Sequence, residues 1–332
     1  MRSNYQPGLH PRDHGGNLEA AIAQFGGTDW IDLSTGINPV AYPLPKFSTG
    51  TWSKLPSKAR GELLEQHARA YFNATKASCL AVSGAQAAIQ LLPLIFGGGN
   101  VAVLSPTYNE HAARFRLHGV SVIEISEIAE CPSDVTTLVI VNPNNPDGRV
   151  IPCDELFALK RRFKTVIVDE SFADVCPKNS ICAELGESGL FVLRSFGKFF
   201  GLAGARLGFV LGNENEINEL REYAGPWAVN GPAIETGILA YADTTWIDAT
   251  RARLQIDASR LDALARQTGW GIVGGCDLFR LYHVTNAKAV QVSLAKLQIW
   301  SRIFPYSNHW IRLGLPGIEN HWTRLEEAIL GG

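Results

Sequence analysis

The chain has 332 residues, 46% of them hydrophobic, and 30 basic residues against 32 acidic ones give a formal net charge of −2. That length can bury a large core, and it fits two or three structural units or one large α/β domain with an appendage. A near-neutral balance with no long basic run argues against nucleic acid or an anionic membrane surface as the main partner.

The opening MRSNYQPGLHPRDHGG holds no apolar core that could act as a signal peptide. Six dispersed cysteines form neither a C-x-x-C pair nor a zinc spacing and read as reduced thiols. The expectation is a cytoplasmic protein with no bound metal. Up to about Pro45 the chain is rich in Gly, Pro and Asn, an irregular arm. Within it, Asn17 ahead of Leu18, Ala21, Ile22 and Phe25 predicts a short helix. Residues 57–73 predict another helix, with Leu63, Leu64, His67, Ala68 and Tyr71 on one face. The most apolar segment, Leu80 to Phe96, is broken by Ser83, Gln86, Gln90 and Pro93, too short and too polar to span a bilayer.

The period then changes. VAVLSP (101–106), TLVIVNP (137–143), TVIVDES (165–171) and LFVLRSF (190–196) are short β-branched runs, each ending in polar or turn residues, with helical stretches such as 108–118 and 153–163 between them. Doubly buried strands alternating with helices predict a parallel sheet, whose ligands collect beyond the C-terminal strand ends. Those ends carry Tyr108, Asn145, Asp169 and Ser195 with Lys198. The alternation stops near Leu211, and helix signals continue to about Gln267. GWGIVGG, DLFRLYHV and WIRLGLP then predict a few strands of a smaller α+β unit. The expected organisation is an arm over 1–45 packing with the small domain, a large domain over 46–222 and a small domain over 223–332.

The residues at the strand ends suit a cofactor with an aldehyde, a pyridine ring and a phosphate. Lys198 among Phe196, Phe199 and Phe200 offers an amine that desolvation makes nucleophilic. Asp169 offers the anion that keeps a pyridine nitrogen protonated. Ser83-Gly84-Ala85-Gln86 leads into an Ala-rich helix whose N-terminus can take a phosphate, with Ser195 and Arg206 as further donors. Tyr108 can stack on the ring, and Asn145 can donate to the ring hydroxyl. Singly, each has a plainer reading: a turn, a strand-end cap, a core tyrosine. Their joint occurrence in this order favours the cofactor.

The segments SGAQAAI (83–89), PTYNEH (106–111), NPNNPDG (142–148), VDESF (168–172) and SFGKFFGLAGARLGF (195–209) resemble the fold-type I pyridoxal-phosphate enzymes, in the class I/II aminotransferase branch that holds histidinol-phosphate aminotransferase. The resemblance spans nearly the whole chain. It implies a mostly parallel α/β large domain with a smaller α+β domain, pyridoxal 5'-phosphate held by Lys198, and Asp169 and Asn145 at its ring nitrogen and hydroxyl. HGGN (14–17), STGINP (34–39) and GPWAVN (225–230) resemble more narrowly the threonine-phosphate decarboxylases of cobalamin biosynthesis.

That narrower resemblance implies a phosphorylated amino acid as substrate. His14 and Gly15 would reach its phosphate, and Arg302 and Arg312 its anionic ends, Arg312 the α-carboxylate. Gly36 stands where some decarboxylases carry an asparagine that contacts substrate. Phe172 replaces a tyrosine common in aminotransferases, which favours loss of CO₂. Asp147 in place of the usual threonine brings a charge near the cofactor, and Leu55 replaces a tyrosine that relatives lend to a neighbouring subunit. The family forms dimers with residues of both chains at each site. The rivals are an aminotransferase, first of the histidinol-phosphate type, and a non-catalytic pyridoxal-phosphate module. A dinucleotide-binding protein ranks below both, since no G-x-G-x-x-G follows the first strand.

Overall fold

A computed structural model describes residues 14–96 and 98–331 of the chain, so the first 13 residues of the arm lie outside the described ones. The strands are β1 (Ile31–Asp32), β2 (Ser78–Val82), β3 (Asn100–Leu104), β4 (Val122–Ile125), β5 (Val135–Val141), β6 (Thr165–Asp169), β7 (Leu190–Ser195), β8 (Gly208–Gly212), β9 (Gly271–Cys276), β10 (Phe279–His283), β11 (Ile299–Trp300), β12 (Arg302–Phe304) and β13 (Ser307–Gly314). The helices are α1 (Leu18–Phe25), α2 (Thr49–Ser53), α3 (Lys58–Tyr71), α4 (Ala85–Ile95), α5 (Glu110–Leu117), α6 (Cys153–Ala158), α7 (Phe196–Phe199), α8 (Glu214–Ala224), α9 (Gly231–Ala242), α10 (Thr244–Gln267), α11 (Ala287–Lys296) and α12 (Glu319–Leu330).

The large sheet has seven strands in the order β2-β8-β7-β6-β5-β3-β4. β4, β3, β5, β6 and β7 run parallel, and β8 runs antiparallel to both β7 and β2. All of β6 is buried, as expected of a strand covered on both faces. Sequence reading found four of these strands. It passed over β2, whose SCLAV merges with the apolar helix that follows, β4, whose residues are half exposed, and β8, which follows the glycine-rich turn after Lys198.

The second sheet orders as β12-β13-β10-β9, wholly antiparallel. α10 spans 24 residues and buries Ile247, Thr250, Leu254, Ala258, Leu261 and Leu264, one stripe at three- and four-residue steps. α1 starts as its sequence predicts, with the Asn17 side chain accepting from Ala20 N at 3.2 Å.

The arm is tied to both sheets. β1 pairs in parallel with β11, and Gly314 N donates to Leu33 O at 2.7 Å. Asn38 N donates to Lys198 O at 2.9 Å, and its side chain donates to Phe199 O at 2.8 Å. Residues 31–38 thus lie between the C-terminal edge of the large sheet and the small sheet, and this places the site.

Candidate active site

The residues read as cofactor contacts converge. Gly84, Ala85, Gln86, Tyr108, Asn145, Asp169, Ser195, Lys198 and Arg206 line one cavity of about 170 Å³. Each stands at or just beyond a strand end of the large sheet, so chain segments more than a hundred residues apart in sequence meet there.

Asp169 closes β6 and is 3% exposed. Burial alone would raise its carboxyl pKa, but His111 and Ser171 bring it below the ordinary value. His111 Nε2 lies 2.8 Å from Oδ2, while Oδ1 accepts from Ser171 N at 3.0 Å and from Ser171 Oγ at 2.5 Å. The carboxylate is therefore ionised and aimed, as a pyridinium partner must be. Sequence reasoning quoted PTYNEH without singling out His111. Its signal was a histidine three residues past Tyr108, in the first turn of a helix.

At the opposite end Gly84 takes φ 79°, and a Cβ there would fall 2.6 Å from Arg206 Nη2. Glycine lets the guanidinium close over the start of α4, where backbone N–H groups are free to meet an anion. Arg206 Nη1 donates to Ala203 O at 3.1 Å, which orients the fork. This cradle of amides, Ser195 and Arg206 fits a phosphate. Tyr108 donates its hydroxyl to Gln86 Oε1 at 3.0 Å, and burial pushes its phenol up to about 12.

Lys198 sits in the short helix α7, but its flanking rings do not surround the amine. Phe196, Phe199 and Phe200 turn into the core against Tyr241 and Trp246. The ring beside Nζ is that of Phe172, 5.4 Å away. Burial lowers the lysine's pKa to about 8, with Arg312 and Arg206 adding to the shift and Asp169 opposing it.

A second cavity of about 1040 Å³ adjoins the first and is lined by His14, Gly15, Gly36, Arg302 and Arg312 as well as Asn145, Phe172 and Lys198. Arg312, on β13, is 5% exposed. Its Nη1 donates to Asn145 Oδ1, its Nη2 donates to Ser34 O at 2.7 Å, and its guanidinium lies 5.0 Å from the Phe279 ring centre. Asn145 thereby spends its carbonyl on Arg312 and keeps Nδ2 as a donor. The Nε of Arg312 is buried and finds no partner among the described residues. Arg302 pairs directly across the ladder from Arg312, and burial followed by that like charge brings Arg312 down to about 10. Two facing cations and an unpaired buried N–H suit an anionic ligand.

Gly15 has no room for a side chain, since a Cβ would lie 2.5 Å from Ser34 O. His14 Nε2 stands 3.2 Å from Glu110 Oε1. Gly36 packs between rings, and a Cβ would fall 2.8 Å from Phe279 and 2.9 Å from Phe172. An asparagine here would need both rings to move. Asp147 lines neither cavity and caps its own turn, accepting from Asn144 Nδ2 at 2.8 Å and Arg149 N at 3.0 Å. Leu55 is 67% exposed and lines neither cavity.

The sequence profile of aminotransferase class I and II matches residues 28–321. This chain belongs to that family. Within it, the chain is 43% identical to the threonine-phosphate decarboxylase of Pseudomonas aeruginosa, over 96% of this chain and 97% of that protein. It is 37% identical to a threonine-phosphate decarboxylase from a Sinorhizobium species, over 96% and 98%. A histidinol-phosphate aminotransferase of Cronobacter sakazakii is 30% identical over only 68% of each chain.

Among solved structures, L-threonine-O-3-phosphate decarboxylase from Porphyromonas gingivalis superposes with a TM-score of 0.75 at 20% identity, covering 90% of this chain and 98% of that one. Histidinol-phosphate aminotransferase of Sinorhizobium meliloti, in complex with pyridoxal-5'-phosphate, gives 0.79 at 17% identity over 99% and 98%. The shared fold is that of the fold-type I pyridoxal-phosphate enzymes, and pyridoxal phosphate is this family's cofactor. Among the described residues no helix is long and apolar enough to cross a membrane.

Proposed function

We propose that this chain uses pyridoxal 5'-phosphate to decarboxylate L-threonine O-3-phosphate to (R)-1-aminopropan-2-ol O-phosphate, a step of cobalamin biosynthesis. The observation that carries it is Arg312, a buried cation with an unpaired N–H beside Lys198, in a chain 43% identical end to end to a threonine-phosphate decarboxylase. In this reading Lys198 holds the aldehyde carbon, Asp169 the ring nitrogen, Asn145 Nδ2 the ring hydroxyl, and the start of α4 with Ser195 and Arg206 the phosphate. Tyr108, which lines the same cavity, would stack on the ring. Bound there, the cofactor serves as the sink for the electron pair left when CO₂ departs.

The chain's own residues decide which bond breaks. Arg312 grips the α-carboxylate from the small sheet, while His14, Gly15 and Arg302 hold the substrate phosphate. Two anchored ends would fix the rotation about Cα and so select the bond to the carboxylate for cleavage. Binding energy at the phosphate is remote from the reacting bond and is used to hold that orientation. Phe172 walls the site with a ring that offers no hydroxyl near the cofactor. Lys198, with a pKa near 8, is placed to deliver the proton that Cα takes up.

The residue ranges of the two sheets support a large domain over 46–222 and a small one over 223–332, with the arm between them. We read the protein as cytoplasmic and as a homodimer, the dimer supported by the exposed rings of Trp52 and Trp227. Incubation with threonine phosphate tests the reaction: CO₂ and aminopropanol phosphate should form in equal amounts without a keto acid. Borohydride should fix the cofactor to the peptide holding Lys198. A requirement for 2-oxoglutarate would make the protein an aminotransferase instead.

A further inference from the structure

Glu110 takes no part in the chemistry above, yet it is 4% exposed. Burying a carboxylate is costly unless donors hold it, and among the described residues they come from three parts of the chain. Oε2 accepts from Gln86 Nε2 at 3.0 Å and from Arg114 Nε at 3.1 Å. Oε1 stands 3.2 Å from His14 Nε2. Gln86 carries the connection onward, because its Oε1 accepts the hydroxyl of Tyr108 at 3.0 Å. One oxygen thus faces the arm, and the other faces the helix that begins the phosphate cradle. An ion pair serving stability alone would be complete with Arg114, one turn away on the same helix.

We propose that Glu110 is a positioning residue coupling the substrate-phosphate end of the site, through His14, to the cofactor cup, through Gln86 and Tyr108. The proposal rests on the reading of His14 as a contact to the substrate's phosphate. Glu110 engages the Nε2 edge of His14 and leaves the Nδ1 edge for the ligand. Ordering Gln86 and Tyr108 around a cofactor orders Glu110, and with it His14. By linkage the arm then strengthens the cup to the same degree.

Glu110→Gln, His14→Asn and the double variant test this, with cofactor affinity of the apo-protein followed by tryptophan fluorescence and KM measured for threonine phosphate. Glu110→Gln should weaken pyridoxal-phosphate binding several-fold and raise KM about tenfold, as expected for one charge-assisted hydrogen bond. In the His14→Asn background it should raise KM no further, because the effect travels through His14. Multiplying effects on KM, or unchanged cofactor affinity in Glu110→Gln, would overturn the coupling. Unchanged KM in His14→Asn alone would remove its arm end together with the assignment of His14. Failure of the proposed reaction shows separately, as a wild-type protein that leaves threonine phosphate untouched, and cofactor affinity then still decides whether Glu110 holds the cup. Glu110→Asp keeps the charge and draws the oxygens back. It should weaken both readouts and carries the comparison if Glu110→Gln does not fold.

Discussion

The two halves of the site are built on opposite electrostatic terms. In the cofactor cup at the edge of the large sheet, the buried charge is compensated by the protein itself. Asp169 has His111 and Ser171, while Arg206 is exposed and oriented by its own turn. On the small-sheet side, Arg302 and Arg312 face each other across a ladder, and Arg312 keeps an unpaired Nε. Like charges set opposite one another in a sheet are destabilising. The lesson is that the cup is preorganised for a ring, whereas Arg312 keeps a buried N–H for an anion that comes and goes.

Breaking the cup should have the largest effect. Asp169→Asn keeps the shape and the His111 contact but removes the charge, so turnover should fall on the order of 10²–10³-fold, the scale of losing one preorganised electrostatic group. Cofactor binding should be partly retained in titrations. A rate near that of the wild type would make Asp169 a structural residue.

Breaking the arginine side should act on binding. Arg312→Ala removes a buried charged donor, and KM for threonine phosphate should rise roughly 10–150-fold. The absorption spectrum of the bound cofactor should change far less than KM, because Arg312 reaches the cup only through Asn145. Arg312→Lys should recover only part of the loss, since an ammonium lacks the planar fork. A shifted spectrum with unchanged KM would move Arg312 from the substrate half to the cup.

The smallest effect is one of pH and sharpens the contrast at Lys198, where the halves meet. Burial and the neighbouring arginines lower its pKa to about 8, so the reactive free amine dominates above that value and is lost as pH falls through it. Cofactor attachment to the apo-protein, followed in the visible, should slow about tenfold for each unit below pH 8 and level off above it. In Arg312→Ala one cause of the lowering is gone, so the whole profile should move to higher pH. An unmoved profile would show that Arg312 does not help to set the amine.

Much of this was legible without coordinates, and the parts that were not share a cause. The four central strands and α10 announce themselves by period and by the polar residue that ends each strand. His111 was quoted and passed over, because only a fold that carries β6 past α5 brings it to Asp169. The three phenylalanines around Lys198 read as its surroundings, but side chains on a single helical turn point in different directions, and these point to the core. Asp147 looked like a charge at the site and proved to be a turn cap.

By itself the sequence determined the central strands of the large sheet, the candidate lysine and aspartate at their ends, and the family to which they belong. These are matters of local pattern, settled by residues near one another in the chain. Tertiary structure alone decided which partners the charges have: Arg312 with Asn145 and Ser34, Asp169 with His111, Glu110 with Gln86 and His14. The reason is physical. A charge's energy depends on what lies within a few ångströms, and in this fold the nearest groups are often remote along the chain.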